Sequence, residues 1–153
     1  MTSKTVFQKL IDKGLTIAFA ESMTGGALAY ELIKYPNASK TVLASIVSYT
    51  PQMKVDLLQV NPQTIEKHQV VSKEVAHEMV LSIKDKTNAD VCLSITGNAG
   101  PSLAEHTTEK CCYYAILVHR NIRHFKLMLN KNTREENISF AIEDVFKNLE
   151  QMI

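Results

Sequence analysis

The sequence predicts an α/β fold: a single-domain three-layer α/β/α sandwich around a mixed, mostly parallel sheet. Three observations predict it. Short apolar runs suited to buried strands alternate with segments of helical periodicity through most of the chain. A strand pair joined across Arg120-Asn121-Ile122 adds an antiparallel hairpin near the end. The length of 153 residues suits one domain, 1–153, with one substantial core.

Each element has its own signal. Val6, Leu10 and Ile11 give one apolar face at helical spacing, and Gly14 ends that helix. "LTIAFA" (Leu15 to Ala20) reads as a buried strand. Ala27 to Tyr35 reads as a helix stopped before Pro36. "TVLASIVSY" (Thr41 to Tyr49) is a β-branched, apolar strand ended by Pro51. Asn61-Pro62 is an N-cap followed by proline at the first helical position. Ser72 caps a longer helix with an inner face of Val75, Ala76, Met79, Val80 and Ile83. "DVCLSIT" (Asp90 to Thr96) is a strand that breaks at Gly97-Asn98-Ala99-Gly100-Pro101. "YYAILVH" and "RHFKLML" are the hairpin strands. Thr133 and Glu136 stand at capping-box spacing before a last helix that buries Ile138, Ala141, Ile142, Val145, Phe146 and Leu149.

Composition narrows the function. Hydrophobic residues make up 45% and charged residues 22%, an ordinary globular balance. A net charge of +1 gives no electrostatic case for nucleic-acid binding. No apolar run approaches the ~18 residues of a membrane span, and the first residues lack a signal-peptide core; a cytoplasmic protein without membrane partners is expected. The three cysteines form no disulfide framework, and Cys111-Cys112 is not a metal-ligand spacing; buried, unpaired thiols are expected. His68, His77, His106, His119 and His124 show no ligand spacing either, so no metal is expected. Gly25-Gly26 lacks the third glycine and the lysine of nucleotide-loop fingerprints.

Sites in such sheets gather where strands end and helices begin, and two junctions are rich in glycine and hydroxyls. The first is Glu21-Ser22-Met23-Thr24-Gly25-Gly26. Taken alone, Ser22 or Thr24 reads as an N-cap; as a site, the turn offers a hydroxyl and helix-start amides for an oxyanion. Glu21 fits a ligand contact or a structural hydrogen bonder equally. The second junction, Thr96 to Pro101, is a plain turn or a source of a hydroxyl and amides. Lys54 lies just beyond Tyr49; an exposed lysine is inert, whereas desolvation would lower its pKa and let a neutral amine take a serine's proton. Arg134 sits in the first turn of the last helix, against the helix dipole, as a surface charge or as a phosphate contact.

Several motifs in order resemble the C-terminal domain of the competence/damage-inducible CinA proteins, whose stand-alone members include nicotinamide-nucleotide amidase. "AESMTGG" resembles A-E-S-C-T-G-G, "VSYTPQMK" resembles V-x-Y-S-N-x-x-K, "VSKEVAHEM" resembles V-S-x-x-V-A-x-x-M, and "TGNAGP" resembles T-G-x-A-G-P. The resemblance covers nearly the whole chain. It implies metal-independent, cofactor-free hydrolysis of the carboxamide of nicotinamide mononucleotide to nicotinate mononucleotide and ammonia. By motif position it implies Ser22 as nucleophile and Lys54 as base, assisted by Tyr49 and Thr96. It implies substrate contacts from Glu21, Thr24, Gly25, Gly26, Gly97, Gly100 and, for the phosphate, Arg134. The partner implied is a small nucleotide; a homodimer is expected because small α/β enzymes are often symmetric dimers.

The sequence departs from the family at four places. Met23 replaces a cysteine, and Thr50-Pro51 replaces Ser-Asn. The stretch 102–114 lacks the family's glycines and proline, and Asn132-Thr133-Arg134 stands for G-D-R. Two further classes therefore stand beside the amidase: a nucleotide-binding or interaction domain without turnover, and a phosphohydrolase, which the chain's lack of an acidic metal cluster disfavours.

Overall fold

The structure, a computed structural model, describes residues 2–103 and 109–153. The histidine at 106 and the middle of the altered 102–114 stretch lie outside the described residues. Along the chain run α1 (Thr2–Lys13), β1 (Ile17–Glu21), α2 (Ala27–Ile33), β2 (Val42–Val47), α3 (Pro51–Leu58), α4 (Pro62–His68), α5 (Lys73–Thr87), β3 (Val91–Gly97), β4 (Cys111–Val118), β5 (Asn121–Met128) and α6 (Arg134–Met152). A 3₁₀ turn at Ala38–Lys40 precedes β2.

The five strands form one sheet in the order β2-β1-β3-β4-β5. β1 pairs in parallel with β2 and β3, while β4 pairs antiparallel with β3 and β5. The mixed sheet is therefore as expected: β4 alone runs against the other four.

Strand alternation sorts the sheet into two faces. Ile17, Phe19, Leu93, Ile95, Tyr114 and Ile116 face one side, where α1, α2 and α6 supply Leu10, Leu28, Val145 and Phe146. Ala18, Ala20, Cys92, Ala115 and Leu117 face the other, under Val75, Met79, Val80 and Ile83 of α5. The residues on that second face are mostly small, so α5 lies close: the Ser94 hydroxyl donates to the Ala76 carbonyl within α5.

The boundaries correct several expectations. α2 ends at Ile33, two residues early, with Lys34 at its C-cap. The hairpin turns at His119-Arg120, with Val118 already paired to Asn121, because His119 takes a positive φ of 54°. On α6, Ile138 and Ile142 are partly covered while Asn137 is buried. Helix α3 is the main omission. Thr50 accepts from the Met53 N–H and Pro51 fills the first turn, the same cap-then-proline signal that marks α4 at Asn61-Pro62. The three cysteines are free and buried, as expected.

The turn after β1 is held by one carboxylate. Glu21 is fully buried. Its Oε1 accepts from the Thr24 hydroxyl at 2.7 Å and from the N–H groups of Gly26 and Leu28 at 3.1 and 3.0 Å. Its Oε2 accepts from the Ala29 N–H at 3.2 Å and from the Ser45 hydroxyl at 2.8 Å. Glu21 thus does for α2 what a side-chain N-cap usually does, since Gly26, at the N-cap position, has no side chain to offer. It also ties β1 and α2 to β2. Glu21→Gln places an amide N–H₂ among five donors. We expect it to lower unfolding stability by about 2–4 kcal/mol, measured by denaturant melts with unchanged native circular dichroism.

Candidate active site

Ser22 follows β1 directly. Alternation puts Ile17, Phe19 and Glu21 toward α2 and leaves Ser22 toward α3 and α5. Helix α3 then delivers the partner. Its buried side chains are Lys54 and Leu58, at i and i+4, so the lysine shares the helix's inner stripe. Lys54 is only 1% exposed. Its Nζ lies 2.8 Å from Ser22 Oγ and donates to the Ser48 carbonyl at 2.7 Å. Burial lowers its pKa from 10.5 to about 8. That bias toward the neutral amine is about 3 kcal/mol, and it leaves about one lysine in ten neutral at pH 7.

A cavity of about 310 Å³ opens beside this pair, at the small end of sites for small molecules. Ser22, Met23 and Lys54 line one side, Thr96, Gly97 and Asn98 another, and Tyr49 and Arg134 the rim. A wider groove of about 660 Å³ lies at α4, α5 and β5, around the His77–His124 hydrogen bond. It lacks any nucleophile–base pair.

The turn's amides divide sharply. Gly25 N–H donates to the Ser22 carbonyl and Gly26 N–H to Glu21. Among the described residues the Met23 and Thr24 N–H groups meet no acceptor. Of the two residues, Met23 lines the cavity and Thr24 does not. Gly25 and Gly26, expected as substrate contacts, are not among the lining residues. Both are glycine because φ is +58° and +96° there. Glu21 does not line the cavity either, and its oxygens take the structural hydrogen bonds that are the other expectation for it. The Thr24 hydroxyl is spent on Glu21.

Thr96 lines the cavity, but its hydroxyl donates to the Val70 carbonyl at 2.9 Å. Tyr49 is half exposed, and its hydroxyl accepts from Arg134 Nη2 at 2.9 Å. Neither is hydrogen-bonded to Ser22 or Lys54. Gly97 lies where a Cβ would strike Met23 and Cys112, so close packing explains its type. Gly100 does not line the cavity. Its φ is +73°, and its carbonyl accepts from Arg134 Nη1 at 2.6 Å. Arg134 thus spans from the Gly100 turn to Tyr49.

Two functional features carry little signal in the sequence. Asn137, in α6, donates to the Ala99 carbonyl and accepts from the Lys131 N–H, so it docks the helix start on the 97–101 turn and aims Arg134. Asn98 is 7% exposed and lines the cavity. Its Oδ1 accepts from the Gly100 N–H, and among the described residues its Nδ2 meets no partner. Burying an unpaired donor costs about 1–3 kcal/mol. The only sequence signal is an asparagine at the open position of the T-G-x-A-G-P pattern.

Known structures share this architecture. A CinA-superfamily protein from Escherichia coli superposes with a TM-score of 0.94 at 29% identity, covering 99% of this chain and 88% of that one. One from Klebsiella pneumoniae gives 0.93 at 26% identity, covering 98% and 94%. Among sequences, a CinA-like protein from Petrotoga mobilis is 39% identical over 118 residues, 76% of this chain but 29% of its own length. The match spans about a quarter of the length of such longer relatives. A Mycoplasma genitalium protein is instead matched over 98% of its length and all of this chain, at 30% identity. The model of the CinA C-terminal domain matches residues 1–153 throughout, and with the same fold and motif order the chain belongs to that family.

Proposed function

We propose that the chain hydrolyses the carboxamide of nicotinamide mononucleotide, giving nicotinate mononucleotide and ammonia, as a step of pyridine nucleotide salvage. The observation that carries this reading is the buried Lys54 amine, 2.8 Å from Ser22 Oγ and biased toward its neutral form. Burying a lysine amine is costly, and its hydrogen bond to the Ser48 carbonyl offsets only part of that cost. It makes sense as a base.

The steps use the chain's own groups. Neutral Lys54 takes the Ser22 hydroxyl proton as Oγ attacks the amide carbon. The oxyanion is held by the Met23 N–H, and the Asn98 Nδ2 is a second donor on the same cavity. The C–N bond breaks as the Lys54 ammonium returns a proton to the departing amine, which leaves as ammonia. Water, deprotonated by Lys54, then cleaves the acyl-serine ester. Arg134 binds the phosphate at the rim. Two of its five N–H donors hold Gly100 and Tyr49, and the others remain for an anion.

The altered 102–114 stretch favours a second reading, a domain that binds a nucleotide without turning it over. Ammonia release separates the two. Wild type should release ammonia from nicotinamide mononucleotide, and Ser22→Ala and Lys54→Ala should each lower kcat by roughly 10³-fold or more while remaining folded. Nucleotide binding with no release at high enzyme concentration would select the second reading.

The pH profile tests the base. The active form needs Lys54 unprotonated, so kcat/KM should fall tenfold per pH unit below about 8 and level above it. Lys54→Arg should show no such limb, since a guanidinium stays charged. Arg134→Ala should raise KM about 10–100-fold for the nucleotide and leave kcat nearly unchanged. The same KM for the nucleoside in both proteins would confirm that the loss belongs to the phosphate.

A further inference from the structure

The sheet has two edges, and they are treated differently. β5 carries Arg123 and Lys126, both exposed, the usual guard against edge-to-edge pairing. β2, "VLASIV", carries no charge and no proline. Among the described residues nothing pairs with its outer side, and Leu43 and Val47 lie open on it.

The helices flanking β2 continue this surface. Tyr30 and Ile33 of α2 are 59% and 53% exposed, and Met53 and Leu57 of α3 are also open. Of the ten large apolar side chains exposed among the described residues, these six lie on β2, on α2, which packs against it, and on α3, which follows it in the chain. Together they present on the order of 600 Å² of surface, close to the ~800 Å² per partner of a standard interface once the strand backbone is included. An isolated edge of this kind is an aggregation hazard that folded proteins avoid.

We propose that the β2 edge pairs with the β2 edge of a second copy of this chain, antiparallel about a two-fold axis normal to the sheet. That operation joins two five-stranded sheets into one of ten strands. It also keeps the faces in register, so α2 meets the partner's α2 and α3 meets the partner's α3. Each apolar flank then covers its own counterpart, as an isologous contact requires. A net charge of +1 per chain offers little repulsion. The proposal does not rest on the amidase reading, and its test reads mass rather than turnover.

The measurement is molar mass by size-exclusion chromatography with light scattering, from low to high micromolar chain concentration. Wild type should elute at twice the 17.1 kDa chain mass. Leu43→Lys with Val47→Lys should elute at the chain mass with unchanged circular dichroism, its dimer weakened at least 100-fold. Should that pair fail to fold, Ile33→Glu carries the same expectation, since it charges the exposed flank of α2 and leaves the sheet intact. A wild type that stays at the chain mass overturns the proposal. So does a dimer that survives these charges, because it must form through another face.

Discussion

A single buried carboxylate organises this end of the sheet. Glu21 ends β1, caps α2 through backbone N–H groups and reaches β2 through Ser45. A buried carboxyl group with no solvent contact is tolerated only when its oxygens are met by donors, and here five converge on it. The result fixes the direction in which the chain leaves β1. Ser22, the next residue, is forced to the opposite face, toward the cavity. The carboxylate and the serine are neighbours in sequence, and alternation sends them to opposite sides of the sheet.

The second constraint is electrostatic. Lys54 gains two hydrogen bonds inside the protein but loses water, and the loss wins: its pKa falls to about 8. Burial alone supplies that shift. No neighbouring cation contributes. The bias is smaller than a base with pKa near 7 would need, so Lys54 still favours the ammonium at neutral pH. A bound substrate that drives remaining water from the cavity acts in the same direction as burial.

The elements are legible because their signals are local. Cap residues, proline at helix starts and the inner face of α5 at Val75, Ala76, Met79, Val80 and Ile83 can be read from short windows. α3 carries an equally local signal at Thr50-Pro51, which is hidden because Pro51 also serves as the end of a strand signal. The site is less legible because its contacts are long-range. Ser22 and Lys54 meet across 32 residues, and Arg134 meets Tyr49 across 85. Nothing short in the sequence states those distances; motif order points to the residues but not to what each touches. Glu21 illustrates the gap. A strict period of two along β1 sets it on the side of Ile17 and Phe19, under α2 and away from the cavity, yet its place in the motif suggests a ligand contact.

The depressed basicity of Lys54 belongs to the packed state rather than to the side chain. Any loosening of α3 that lets water reach Nζ restores an ordinary lysine, protonated at neutral pH. Helix α3 is short, and its Met53 and Leu57 face outward. Local opening of such an element takes less free energy than unfolding the sheet. A loosening of α3 that stops short of unfolding the sheet is therefore enough to restore the ordinary basicity of Lys54.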